Sequence, residues 1–477
     1  MASLVKNIAL LGGGTIAAQV VSLMAIPVIT RLYDPADFGA FSFLYALVAV
    51  AFPVSTLRFN SALLLPEDGE TADALFWLSN IAVAAVALII MPGVALTIAW
   101  AGTDVAVMGS LWFLVAGVLV HGWVHSAEFW LLRQKRVELM AGGSVAESVL
   151  DRGISIASGV LQQSSVTGLI MGRLFGGIAH LAVFRPALAT SNWTLRNWPS
   201  WALLVRVAKR FRSFPVFTTW AYLFANGGRE IPTLMIAAMF STSVAGAYAL
   251  GLRVLSFPTL LIGGALAKAF FRHAVDLSRD RDRLKDSTIL LFRVSLYLMV
   301  PPSVVVIAFG PDLFALVFGR EWADAGRYSQ VLSLSFLATF VYGVLSIIFD
   351  IVDRQRERLL VDGAFLLTRV AGVVVGGGIW GIEGALWGLL AASVFVHGAA
   401  SIYLMAQIGV TSSETGSELK WVALTLAPFW VAIGVATIVP IDLAAGLAVG
   451  AAVVVAQGVW FARREPRIAT YAAEFAR

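Results

Sequence analysis

Apolar runs of about twenty residues, divided by short polar connections, fill the chain from end to end, and fourteen can be marked out. A hydrocarbon core about 30 Å thick takes roughly 20 apolar residues per spanning helix, so each run predicts one transmembrane helix. The predicted spans are 7–30, 38–59, 74–100, 105–130, 142–162, 166–188, 214–238, 244–268, 289–310, 328–351, 359–379, 384–406, 421–440 and 443–462. Stretches such as Ile81–Trp100, Val294–Phe309 and Leu443–Phe461 hold no charged residue. The expected fold class is all-α, a polytopic membrane protein of about fourteen helices.

The pattern repeats itself. Asp37-Phe38-Gly39-Ala40-Phe41-Ser42 opens the second span and Val244-Ala245-Gly246-Ala247-Tyr248-Ala249 the eighth, both with Gly-Ala-aromatic-small, at an offset of 207. Gly168-Leu169-Ile170-Met171-Gly172 opens the sixth span and Gly384-Ala385-Leu386-Trp387-Gly388 the twelfth, 216 residues on. Arg152 and Arg369 fall within the fifth and eleventh spans, 217 apart. Gly-x-x-x-Gly alone is common where membrane helices pack closely; three matches at nearly one offset, each six spans apart, predict a duplication. Six is even, so the halves share one orientation, a parallel repeat with the substrate site expected between them. The predicted organisation is an N-lobe over 1–190, a cytoplasmic interfacial linker over 191–213, a C-lobe over 214–410, and a last hairpin with a cytoplasmic tail over 411–477.

Composition sharpens this picture. Hydrophobic residues make up 59% of the chain and charged residues 13%, with a mean hydropathy of +0.84. Cysteine is absent, which excludes disulfides and thiolate metal sites. The apolar run after Met1–Lys6 reaches Ile29, too long for the core of a cleavable signal peptide. With the N-terminus inside, 25 of the 34 basic residues fall in cytoplasmic segments and only Arg31, Arg320 and Arg327 outside. The positive-inside rule then places both termini in the cytoplasm. Leu203–Arg212 segregates basic from apolar residues at helical spacing, as an interfacial helix resting on anionic headgroups does.

Charges within spans are costly and normally face water or a partner. Arg152 and Arg369 lie about ten residues into their spans, accompanied by Glu147, Asp151 and Asp362. Arg229 and Glu230 interrupt the seventh span beside Asn226-Gly227-Gly228 and before Pro232, a place where a helix can unwind or kink. Arg173 and Arg253 sit in the outer halves of the sixth and eighth spans. These five arginines are candidates for a hydrated cationic cavity that takes a diphosphate-linked glycan, because guanidinium presents paired donors to phosphate oxygens and keeps its charge. The competing reading is internal pairing, Asp151 with Arg152, Asp362 with Arg369, Glu230 with Arg229. Neighbours on a helix diverge by about 100°, which counts against the two adjacent pairs. Asp151, Glu147, Asp362 and Glu230 are candidates for coupling to H+ or Na+.

Other motifs carry less. His121, His125 and Glu128 share one face of the fourth span, but no fourth ligand is evident, so packing or a proton-sensitive wall is expected rather than a metal. No metal and no cofactor is called for. Gly12-Gly13-Gly14-Thr15 lacks the strand and Lys-Ser/Thr of a phosphate loop and is assigned to close helix approach. Asn192-Trp193-Thr194 matches a glycosylation sequon but falls on the cytoplasmic side.

Ile26-Pro27-Val28-Ile29-Thr30-Arg31-Leu32-Tyr33-Asp34-Pro35-Ala36-Asp37-Phe38-Gly39 resembles the first-hairpin signature of the O-antigen type polysaccharide flippases of the multidrug/oligosaccharidyl-lipid/polysaccharide exporter superfamily. Phe318-Gly319-Arg320-Glu321-Trp322-Ala323-Asp324-Ala325-Gly326 resembles the same family's loop between spans nine and ten. The resemblance implies two six-helix lobes with alternating access in a bacterial inner membrane. It also implies a polyprenyl-diphosphate-linked glycan as substrate, moved outward for surface polysaccharide such as O-antigen, lipopolysaccharide or exopolysaccharide. A polysaccharide polymerase and a chain-length regulator are the partners it implies; nucleic acid is not among them. Two alternatives stay open. A drug or cation antiporter of the superfamily typically stops at twelve spans and favours acidic cavities. A membrane glycosyltransferase or polymerase needs a larger outer loop than 311–327.

Overall fold

The computed structural model describes residues 2–101, 112–162, 165–189, 198–264, 266–267, 270, 274, 280–438 and 452. The sequon at 192–194, the tail after 462 and the last span, Ala452 apart, lie outside them. Among the described residues all regular structure is helical, as a chain in lipid requires: an unpaired N–H or C=O has no water there to bond.

Six long helices open the chain: α1 (Ala2–Leu32), α2 (Pro35–Ser55), α3 (Gly69–Ala101), α4 (Trp112–Arg133), α5 (Val137–Gln162) and α6 (Val166–Ala189). A short α7 (Trp201–Arg210) follows, then α8 (Thr219–Met239) and α9 (Thr242–Pro258). The chain continues through α10 (Arg281–Phe318), α11 (Ala323–Leu345), α12 (Gln355–Ala392), α13 (Gly398–Gln407) and α14 (Ser412–Ile438). Seven stretches of the described residues meet the length and hydropathy of a membrane span, among them Pro35–Ser55, Val166–Leu188 and Arg281–Phe318. α10, at 38 residues, is about 57 Å long at 1.5 Å per residue, so it outruns the hydrocarbon core.

Helix ends follow from local residues. Asp34 caps α2, its carboxylate accepting from the Asp37 N–H at 2.8 Å, and Pro35 takes the first helical position, where no N–H is needed. Ser200 caps α7 in the same manner. The two helices predicted over 359–379 and 384–406 meet at Trp380 and Gly381, where Gly381 takes φ +63° and reverses the chain. The expected break at Gly227-Gly228 is absent: α8 runs unbroken through Pro232, and the irregular turn lies earlier, a π-helical stretch over Phe214–Thr218 containing Pro215.

The chain divides into two compact units, Met1–Gly246 and Ala247–Arg477. In the first, Phe59, Leu63, Leu75, Phe76 and Trp130 pack with Leu204, Val207 and Phe211 of the amphipathic α7, whose Arg206, Lys209 and Arg210 stay exposed. In the second, the core gathers Phe292, Leu296, Met299 and Val304 of α10 with Phe340 and Leu345 of α11 and Leu404 of α13.

Both units build one hairpin the same way. A Cβ on Gly172 of α6 would strike Ser155 of α5, and one on Gly388 would strike the backbone of Gly372 on the facing arm of α12. Ser155 and Gly372 differ by 217 positions and the two glycines by 216, so the repeat seen in sequence is a repeat of helix contacts. The turn before each hairpin also recurs. Lys135 and Asp353, 218 apart, both adopt left-handed φ, 58° and 55°. The next residue's N–H then reaches back five positions, Arg136 to Leu131 O and Arg354 to Phe349 O. The glycines of the first repeat pair, Gly39 and Gly246, abut one another, each leaving no room for a Cβ.

A buried ion network at the heart of the first unit

Glu147, Asp151 and Ser155 recur every four residues, so they line one face of α5. That face meets Gly168, Gly172 and Gly176 of α6, where the missing side chains bring the backbones together. Arg173 and His180 of α6 close on the same acidic face. The Arg173 guanidinium pairs with Glu147 at 2.7 Å and with Asp151 at 3.5 Å. It also donates to the Tyr45 hydroxyl of α2 at 3.0 Å and covers the Tyr45 ring, 4.8 Å from its centre. His180 Nδ1 meets the other oxygen of Glu147 at 2.7 Å. Arg152 pairs with Asp151 at 3.3 Å, against the expectation for adjacent residues. The arginine side chain is long enough to fold back to a carboxylate already held by Arg173, and Asp151 is only 2% exposed.

The network runs on into α4. Glu128 lies 4.0 Å from His180 Nε2 and 3.6 Å from His125 Nδ1. Arg58 donates to His125 at 3.3 Å and stacks on Tyr222 of α8 at 4.2 Å. Three guanidiniums therefore face three carboxylates, joined by histidines, in one low-dielectric body. The face of α4 noted in the sequence thus belongs to this network, and the described residues contain no group of three ligands suited to a metal. Buried Nε atoms of Arg58, Arg152 and Arg173 have no hydrogen-bond partner among the described residues, so each cation keeps a donor to offer.

The second unit holds a different arrangement. Arg369 of α12 is buried, donates to the Tyr248 hydroxyl of α9 at 3.3 Å, and lies over Phe365, 5.1 Å from the ring centre. Its Nε is likewise buried without an acceptor among the described residues. Phe365 stacks on His397, 3.8 Å between centres, and His397 stacks in turn on Tyr342 at 4.3 Å. His397 ends a π-helical stretch, Ser393–His397, an irregularity frequent at functional positions. Asp362 and Arg253 are half-buried in this unit. In the first unit, Glu230 is half-buried on α8 and its neighbour Arg229 is exposed.

The structure thus brings Arg152, Arg173, Glu147 and Asp151 into one cluster and leaves Arg229 outside it. Sequence reading missed Tyr45, Arg58 and His180 as members, and His397 in the second unit. His180 alone left a trace, standing two turns from Arg173 on the same face of α6.

Comparison with known proteins sets this architecture in context. Residues 28–327 match the family described as Polysaccharide biosynthesis protein. The succinoglycan biosynthesis transport protein ExoT of Rhizobium meliloti (strain 1021) is 23% identical over 333 residues, 65% of this chain. The matched region spans 62% of that relative's length. Among solved structures, the lipid II flippase MurJ in an inward closed conformation aligns with a TM-score of 0.72 at 12% identity, over 95% of this chain and 99% of that one. An inward-facing multidrug resistance MATE family transporter of the MOP superfamily aligns at 0.67 and 14% identity, over 83% and 96%. At such identities the likeness is one of fold, that of a polytopic helical membrane protein. Since the family match takes in well over half of the sequence, the chain belongs to the polysaccharide biosynthesis protein family.

Proposed function

We propose that the protein is a flippase that carries a polyprenyl-diphosphate-linked oligosaccharide from the cytoplasmic to the outer leaflet for surface polysaccharide biosynthesis. The observation that carries this reading is a set of buried guanidiniums with unspent donors, Arg152, Arg173 and Arg369, in a chain of the polysaccharide biosynthesis family. A diphosphate headgroup leaving water needs fixed cationic donors in exchange for its hydration, and arginine supplies them in pairs. Arg253 and Arg229 are further cations for the glycan-diphosphate head. Alternating exposure of these residues to the two faces moves the head while the lipid tail stays in the bilayer. Entry of H+ or Na+ supplies the drive, with Asp151, Glu147, Asp362 and Glu230 as the carboxylates concerned.

In this reading the protein lies in a bacterial inner membrane with both termini cytoplasmic, beside a polysaccharide polymerase and a chain-length regulator. The transport name of ExoT and the flippase name of MurJ support a lipid-linked glycan as cargo. Deletion of the gene is expected to trap lipid-linked oligosaccharide in the inner leaflet, measured by its protection from an added impermeant glycosidase. Unchanged exposure of that lipid in the deletion strain would refute the reading.

A further inference from the structure

We infer that His180 is a proton-binding site, reached through Glu128, whose charge sets how firmly Glu147 holds the Arg173 guanidinium. The inference deepens the proposed function, in naming the group that takes a coupling proton, but its geometric basis stands without that reading.

The hydrogen-bond inventory fixes the tautomer. Glu147 lies 2.7 Å from Arg173, so it is ionised and can only accept. The His180 Nδ1 at 2.7 Å must then carry the hydrogen. The other ring nitrogen, Nε2, is buried with no hydrogen-bond partner among the described residues. A buried ring nitrogen without a partner is a costly thing to keep. It is kept here against Gly143 of α5, where any Cβ would occupy the space of the imidazole.

A carboxylate stands close to that nitrogen. Glu128 of α4 is 4.0 Å from Nε2 and is the most exposed carboxylate of the network, its side chain 32% exposed against 15% for Glu147 and 2% for Asp151. A small side-chain rotation turns that separation into a hydrogen bond. Facing His180 are thus Glu147 from α5, Glu128 and His121 from α4, and Arg173 from its own helix, with Tyr45 of α2 beyond Arg173. Arg173 opposes a further positive charge on the ring, and the carboxylates of Glu147 and Glu128 bracket it.

With His180 neutral, the three guanidiniums of Arg58, Arg152 and Arg173 balance Glu128, Glu147 and Asp151. A proton arriving by way of Glu128 forms an Nε2–H bond and makes His180 a second cation on Glu147. The carboxylate is then shared between two positive groups, and its hold on Arg173 weakens. The guanidinium is left with Asp151 and Tyr45 and becomes available to an anion.

The test uses full-length protein in lipid nanodiscs, with no substrate, labelled with 15N at histidine. On acidification one Nε2 signal should move from the unprotonated to the protonated position, and His180→Gln should remove it. Glutamine keeps an N–H toward Glu147, so folded H180Q protein shows that loss of the signal is not loss of structure. In Glu128→Gln, a change at the exposed rim, the same movement should need more acid. A His180 signal that stays neutral until the protein unfolds would overturn the inference, as would one indifferent to E128Q. Sodium chloride substituted for choline chloride should leave the movement unaltered; its suppression by sodium would assign the site to Na+ and overturn the proton. Should the signal titrate as expected in a protein whose deletion does not trap lipid-linked glycan, the proton site stands and the flippase reading falls.

Discussion

Replacement of Glu147 by Gln and Arg173 by Gln, singly and together, measures what holds α5 to α6. The pair sits at 2.7 Å with side chains 15% and 20% exposed. Removal of one member of a buried ion pair costs about 3–5 kcal/mol, chiefly because its partner is left charged and unmatched. Arg173 keeps Asp151 at 3.5 Å and Tyr45 at 3.0 Å after E147Q, so the loss should fall at the low end, about 3 kcal/mol. Glu147 keeps His180 at 2.7 Å after R173Q, with a similar result. In the double variant neither group is orphaned, and the total should be smaller than the sum of the singles by about 1–3 kcal/mol. Unfolding in mixed micelles with rising sodium dodecyl sulfate, followed by loss of helical circular dichroism, gives the three free energies. Additivity within about 0.5 kcal/mol would show that the two groups are independent and that the network is a coincidence of side-chain placement.

Other outcomes follow from the helix contacts and the helix ends. Gly388→Leu should sharply lower the yield of monodisperse protein in detergent, because its side chain would enter the Gly372 backbone, whereas Gly378→Ala meets nothing within 4 Å and should be tolerated. At the start of α14, the Lys285 ammonium, hydrogen-bonded at 2.6 Å, together with the Thr411 N–H and hydroxyl, holds the Glu414 carboxyl down to about 2. A depressed folded value contributes stability above the ordinary value of 4.5, and that contribution is lost as the pH falls toward 2. Protection factors for hydrogen exchange at 411–418, taken against the intrinsic rate at each pH, should therefore fall on acidification over that range, and Glu414→Gln should remove the dependence. Tyr33→Phe, which deletes a 2.7 Å bond from the hydroxyl to Ser155 O, should cost about 0.5–1.5 kcal/mol in the same unfolding assay.

The hydrophobic pattern carried the helices well because spacing and length are local properties. Predicted span 142–162 is α5 less its first turn, and 38–59 overlaps α2 from Phe38 to Ser55. Ends were less legible: α10 extends to Phe318, eight residues past its predicted end, because apolar and polar residues both sustain helix once outside the lipid. Depth identified Arg152 and Arg369 as buried cations, but partnership is tertiary. The rule that adjacent side chains diverge misjudged Arg152 and Asp151, since it treats directions at Cβ and not the reach of a guanidinium. The spacing of His180 from Arg173 marks a shared face but no partner; only the approach of α5, permitted by Gly143 and Gly176, gives it Glu147. Depth within its span also singles out Arg229, yet its side chain is exposed, and α8 absorbs the neighbouring Gly-Gly and Pro without breaking.

Reconstitution tests the central claim most directly. Purified protein in liposomes, loaded with a polyprenyl-diphosphate oligosaccharide bearing a radiolabelled sugar, should expose inner-leaflet label to an external glycosidase at a rate well above protein-free vesicles. The combined Arg173→Ala and Arg369→Ala variant, matched for incorporated protein, should reduce that rate to the protein-free level. Equal exposure with wild-type protein, variant and empty vesicles would contradict the account.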